Sequence, residues 1–158
     1  MAHSPIKSPL AESDKEITGN ALQATLVDLV DLSLIAKQAH WNVVGANFRS
    51  AHLQLDELVA TARQYTDAVA ERANAIGISP NGKAKTVVES SGIPEYPDNW
   101  QSVESTITGV VAALEALIER LRKRIDETDK SDLVTQDLLI EITQELEKAH
   151  WMWQAQQA

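Results

Sequence analysis

FRSAHLQLDELVATARQYTDAVAERANAI, residues 48–76, repeats His52, Leu55, Val59, Ala62, Thr66 and Ala70 in step with the helical period of about 3.6 residues. It contains no proline, and Gly77 follows it as a residue suited to a left-handed helix stop. The spacing therefore predicts one long helix from Phe48 to Ile76. On that helix His52 and Asp56 are an i,i+4 pair, and so are Asp67 and Glu71, so each pair stacks one turn apart and can grip one ion. Eleven residues separate Asp56 from Asp67. At about 1.5 Å of rise per residue the pairs share a face but stand roughly 16 Å apart. One ion cannot touch both, so each pair reads as half of a site. An antiparallel two-fold dimer, the commonest symmetric contact, would set the His/Asp half of one chain against the Asp/Glu half of another.

Upstream, Leu22, Leu26, Leu29, Ser33, Ala36 and His40 recur at helical spacing, predicting a helix that ends near Val44, before Gly45. Ser13 and Glu16 resemble a capping box at its start. His40 lies on the inward stripe, twelve residues before His52, and completes a candidate set of two imidazoles and three carboxylates. A bland account competes. A histidine on an apolar stripe is often a packed core residue, and an i,i+4 carboxylate pair is often a solvated face. Asp67 and Glu71 are like charges one turn apart, which weakens a helix unless a cation intervenes, and Arg72 is the structural candidate for that cation. That account leaves unexplained why His40, His52 and Asp56 also take inward positions, where unpaired charge is costly.

Downstream, residues 79–99 hold three prolines and two glycines without a sustained period, giving a long crossover with a short helical piece. A third long helix is expected from Trp100 to Thr128, capped by Asp98, with Val103, Ile107, Val110, Val111, Leu114 and Ile118 inward. A fourth follows an acidic turn, from Asp132 to Gln154. No stretch alternates like a strand, so no sheet is expected. The fold class is all-α, and a single long middle connection matches a ferritin-like four-helix bundle better than an up-down-up-down one. Residues 1–13, with two prolines and three serines, read as a flexible arm, and residues 14–158 as one four-helix domain.

Composition narrows the chemistry. Cysteine is absent, so a metal must be held by N and O donors, a set that suits iron, manganese or zinc and matches iron(II) well. A formal net charge of −9 opposes DNA binding through the body of the protein and favours attraction of cations. No apolar run reaches membrane-span length, and MAHSPIKSPLAESDK lacks the apolar core of a signal peptide. A cytoplasmic protein, within reach of the nucleoid, is the expectation.

Four segments carry a resemblance: AHWNVVGANF (39–48), AHLQLDEL (51–58), YTDAVAERANAIG (65–77) and DLVTQDLLIEITQELEKAHW (132–151). They resemble the Dps family, the miniferritins named as DNA-binding proteins from starved cells. The resemblance covers everything after the arm. It implies a four-helix subunit with a short helix in the crossover, assembled as a hollow homododecamer. It also implies a ferroxidase site at each two-fold interface, with room for two iron ions. There His40, His52 and Asp56 match the ligands from one subunit, and Asp67 and Glu71 those from its neighbour. Trp41 matches the Trp of the family's H-W-N motif, an oxidisable ring near the metals, although a structural role competes. The start of the last helix lines acidic three-fold channels in the family, which makes Asp132 and Asp137 the preferred pore residues among Asp126, Glu127, Asp129, Asp132 and Asp137.

Glu147-Lys-Ala-His150 repeats the E-x-x-H spacing of larger di-iron bundles, but those need two copies and two further glutamates. His3 in the arm is a weaker metal candidate still. The function implied by resemblance is iron detoxification and storage: iron(II) is oxidised, with hydrogen peroxide as the expected oxidant, and deposited as a ferric mineral, sparing DNA from oxidative damage. Two alternatives stay open. One is a nucleoid-compacting DNA-binding protein, against which the arm offers only Lys7 and Lys15 beside Glu12, Asp14 and Glu16, so DNA binding should be weak or absent. The other is a metal-dependent hydrolase, for which no substrate pocket is legible.

Overall fold

The computed structural model describes residues 4–157. His3 and the first residues of the arm lie outside the described residues. Helix α1 spans Glu12–Asn42 and α2 spans Phe48–Ala75, forming a hairpin through a short strand β1, Val43–Val44. The crossover holds a short helix α3, Ala84–Ser90, and ends in β2, Gln101–Ser102. Helices α4, Val103–Thr128, and α5, Leu133–Gln154, make the second hairpin, closed by a 3₁₀ turn at Ala155–Gln157. This is the expected bundle with its long middle connection and short helix.

The expected stripe of α1 is buried throughout: Leu22, Leu26, Leu29, Ser33, Ala36 and His40 all face the core. They meet Leu55, Leu58, Val59, Ala62 and Val69 of α2, Leu114, Leu117 and Leu121 of α4, and Leu139, Ile142 and Leu146 of α5. Each fully buried leucine contributes about 1.5–3 kcal/mol relative to exposure, so this continuous core is what holds four otherwise marginal helices together.

Polar ties fix the helix order. Asp28, with no exposed surface, accepts from Arg124 Nη2 at 2.6 Å and Arg120 Nε at 2.9 Å, which ties α1 to α4. Its other oxygen accepts from the Gly92 amide at 3.0 Å, pinning the end of the crossover. Burial pulls the Arg124 guanidinium below its ordinary pKa, while the Asp28 charge resists that shift. Gly77, with φ +78°, ends α2 as expected. A Cβ there would lie 2.8 Å from the Ile6 carbonyl oxygen, so the described part of the arm packs against this turn.

Four local expectations need correction. The capping box is not formed: α1 starts one residue before Ser13, with Ala11 at the N-cap and no side-chain cap. The same helix stops at Asn42, because Val43 and Val44 are extended and pair in parallel with Gln101 and Ser102. That pairing is a two-stranded bridge where no sheet was expected. It arises because the end of α1 and the start of α4 meet, leaving main-chain groups on both segments to satisfy each other. Finally, α4 begins at Val103 rather than Trp100, with the Ser102 hydroxyl, not Asp98, accepting from the Ser105 amide. Asn99 at φ +67° breaks any helix continuing from Asp98.

Candidate metal centre

The α1–α2 hairpin brings His40 and His52 face to face. Their ring centroids are 3.6 Å apart with planes inclined by 22°. His40 Nδ1 lies 2.8 Å from the His52 carbonyl oxygen, and His52 Nδ1 lies 2.8 Å from the His40 carbonyl oxygen. A carbonyl can only accept, so each Nδ1 carries a proton, and in the neutral ring it is Nε2 that holds the lone pair. Each imidazole is thus held in place by the other's backbone, with Nε2 as the ring nitrogen left for another partner. The turn between them holds two left-handed residues, Gly45 at φ +112° and Asn47 at φ +61°. It thereby sets the register that makes both bonds possible.

Asp56 stands beside this pair. Its Oδ1 lies 3.3 Å from His40 Nδ1 and accepts from Lys37 Nζ at 2.6 Å. The hydrogen bond from Lys37 holds the Asp56 carboxyl below the usual carboxylate range, against opposing desolvation and with help from the two histidines. Lys37 was not anticipated from the sequence. Its position three residues before His40 places it on the same face of α1, and that spacing is the signal that could have found it.

The expectation that His40, His52 and Asp56 all face inward holds only in part. His40 is buried, with 8% of its surface exposed, and His52 is half-buried. The Asp56 side chain, however, is 47% exposed. It follows buried Leu55 by one residue, a turn of about 100° that carries it off the core stripe. Asp67 and Glu71 are also exposed, on the same helix about three turns further along. Arg72 does not neutralise them; it reaches across to Asp132 Oδ2. Among the described residues of the single chain, three His or carboxylate side chains nowhere converge closely enough to hold an ion.

The remaining candidates separate clearly. Trp41 is 67% exposed and lines an open groove with Leu34, Ile35, Ile93 and Tyr96. Asp137 is exposed, whereas Asp132 is buried and fully engaged. Asp132 caps α5 through the amides of Val134 and Thr135 and pairs with Arg72. Burial opposes its charge, but hydrogen bonds from Thr135 and Arg72 outweigh that and keep its carboxyl below the usual range. Glu147 of the E-x-x-H motif is held by Arg122 Nε at 2.7 Å. The His150 Nε2 is buried without a hydrogen-bond partner.

Comparison with known proteins agrees with this architecture. A model of the ferritin-like domain matches residues 19–158. A protein of Mycolicibacterium smegmatis named DNA protection during starvation protein is 37% identical over 145 residues, 90% of this chain and 79% of that relative. A solved structure of Mycobacterium smegmatis Dps superposes with a TM-score of 0.92 at 34% identity, covering 98% of this chain and 94% of the other. Dps from Microbacterium arborescens, described in a high iron form, gives a TM-score of 0.90 at 30% identity, with 95% and 97% covered. The fold and these likenesses define a ferritin-like protein. Within that class, the chain belongs to the Dps family.

Proposed function

We propose that this protein oxidises iron(II) at sites shared between two subunits and stores the product as a ferric mineral inside a homododecameric cage. The observation that carries the reading is the reciprocal His40–His52 pair beside Asp56, which presents two Nε2 lone pairs and a carboxylate at one end of the α1–α2 hairpin. Imidazole and carboxylate donors without thiolate fit iron(II). Asp67 and Glu71, roughly 16 Å along α2, are the half offered to a two-fold neighbour. Iron is the substrate here, and hydrogen peroxide is the oxidant: two iron(II) ions give up one electron each, and peroxide with two protons leaves as two waters. Removing both reactants together avoids hydroxyl radical, so DNA in the cytoplasm is protected without being touched.

Trp41 follows His40 directly and serves as an oxidisable side chain close to the site. Asp137, exposed at the start of α5, is the stronger pore candidate, because the carboxylate of Asp132 is already committed to Arg72 and the helix cap. Among the described residues, no helix is long and apolar enough to cross a membrane. The test is native mass together with iron content after anaerobic loading with iron(II) and addition of peroxide. A particle of about twelve subunits that retains more iron than its interface sites alone could hold supports the reading. A monomer or dimer without peroxide-dependent iron oxidation refutes it.

A further inference from the structure

Asn81-Gly82, between α2 and α3, is the one Asn-Gly pair in the sequence. Asn81 is exposed, and its Oδ1 accepts from the Lys83 amide at 3.2 Å, a turn that folds the carboxamide back over the peptide that follows it. Among the described residues, the Gly82 amide of that peptide donates to no hydrogen bond. Glycine has no Cβ to shield it, and a Cβ built there would meet only Leu26 Cδ2 and Val30 Cγ2, each at 4.0 Å. The main chain of Asn81 is held from the other side. Gln23 of α1 accepts from the Asn81 amide through Oε1 and donates to the Asn81 carbonyl through Nε2, both at 2.9 Å. This reciprocal pair ties the start of the crossover to α1.

We propose that Asn81 is a site of self-modification: in the folded protein it loses its side-chain nitrogen to attack by the Gly82 nitrogen, and the isoaspartyl product unfastens the crossover from Gln23. The Gly82 nitrogen gives its proton to water and bonds to Asn81 Cγ. Negative charge then develops on Oδ1, where the Lys83 N–H already points and stabilises it. As the carbonyl re-forms, the Cγ–Nδ2 bond breaks and the nitrogen takes up protons from water and leaves as ammonium. The cyclic imide that remains takes up one water. Opening at Cγ gives aspartate, and opening at the main-chain carbonyl gives isoaspartate, in which the chain runs on through Cγ. In sum, asparagine and water give a carboxylate and ammonium, with nothing oxidised or reduced. Aspartate keeps the chain length and can keep both bonds to Gln23. Isoaspartate inserts a methylene between the groups that Gln23 holds, so its amide can no longer meet both. Asn20 and Asn74 lie inside α1 and α2, where the amide of the next residue is engaged in the helix ladder, and they lack this route.

The test is incubation of the full-length, iron-free protein at mildly alkaline pH, followed by proteolytic digestion and peptide mapping by mass spectrometry. The peptide carrying Asn81 should gain the mass difference between an amide and an acid, while Asn20 and Asn74 stay unchanged. Gly82→Ala, which the surrounding space accepts, should lose most of this conversion, because the added methyl crowds the attacking nitrogen. An isoaspartyl methyltransferase should label the incubated parent and leave Asn81→Asp unlabelled. Hydrogen exchange then reads the fastening: residues 79–84 should exchange faster in the isoaspartyl chains than in fresh parent, and Asn81→Asp should match fresh parent. Persistence of Asn81 through the incubation, or conversion of Gly82→Ala as fast as the parent, would overturn the modification site. Isoaspartyl chains with unaltered exchange would leave the site standing and overturn the unfastening.

Discussion

Replacing His52 by Ala in one population of chains and Asp67 by Ala in another should abolish most iron oxidation in each pure assembly, yet mixing them before assembly should restore part of it. The two residues lie on one helix, α2, too far apart for one ion, so each mutation empties a different half of the shared site. In a pure assembly of either variant, every site has one damaged half, and the loss should be at least tenfold, the lower end for disturbing even a supporting residue at a metal site. Random assembly from equal amounts changes this. Half of the two-fold contacts then pair unlike chains. In each such contact one site combines both damaged halves, and the other combines both intact ones. About a quarter of all sites are therefore whole. The assay is the initial rate of iron(III) absorbance after adding peroxide to anaerobically loaded protein, with mixed composition verified by native mass spectrometry. A recovered rate near a quarter of the parent supports sharing across the two-fold. Mixed assemblies no more active than their pure parents would refute the half-site reasoning, because ligands confined to one chain cannot be complemented in that way.

Four further outcomes are expected. Asp137→Asn should slow iron uptake at low salt without altering stability. Asp132→Asn should instead cost about 1–3 kcal/mol through its lost cap and ion pair, seen as a lower thermal midpoint. Because the folded carboxyl of Asp132 titrates below its unfolded value, its contribution is complete above about pH 3.9 and is lost as pH falls through the folded pKa, so acid unfolding of the Asn variant should lack that component. Asp28→Asn should destabilise the subunit by about 3–5 kcal/mol in denaturant titrations, because it leaves the buried Arg124 without a counter-charge. DNA should associate only at low salt and only through residues 1–14, since a charge of −9 per chain repels phosphate; tight, salt-resistant binding by protein lacking those residues would contradict this.

The helices were legible because burial repeats with the helical period. Leu22, Leu26, Leu29 and Ala36 could be placed without knowing what they pack against. Helix starts were less legible. Asp98 and Ser102 are both acceptable caps by residue type, and the left-handed Asn99, together with the β1–β2 pairing, selects Ser102. Neither feature has a strong local signal. The site divides in the same way. His40, His52 and Asp56 were visible as types at suggestive spacings, but the exposure of Asp56 and its capture by Lys37 depend on how α1 lies across α2. A lysine three residues before a histidine is unremarkable on a single helix and becomes informative only when a second helix supplies the carboxylate.

The hairpin turn is therefore as much a part of the site as the side chains. Each histidine borrows the other's main-chain carbonyl, an acceptor that mutation of a side chain cannot remove but a change of register can. Shifting α2 by one residue turns its side chains by about 100°. Both Nδ1 bonds would break together, freeing the rings to rotate and the tautomers to exchange, with all five candidate ligands still present in the sequence. Gly45 and Asn47 hold that register through their left-handed backbones. Asn tolerates this conformation better than most non-glycine residues, while glycine adopts it without a Cβ penalty. The geometry that orients His40 and His52 is thus fixed by the chain between them, including two residues whose side chains take no part in either bond.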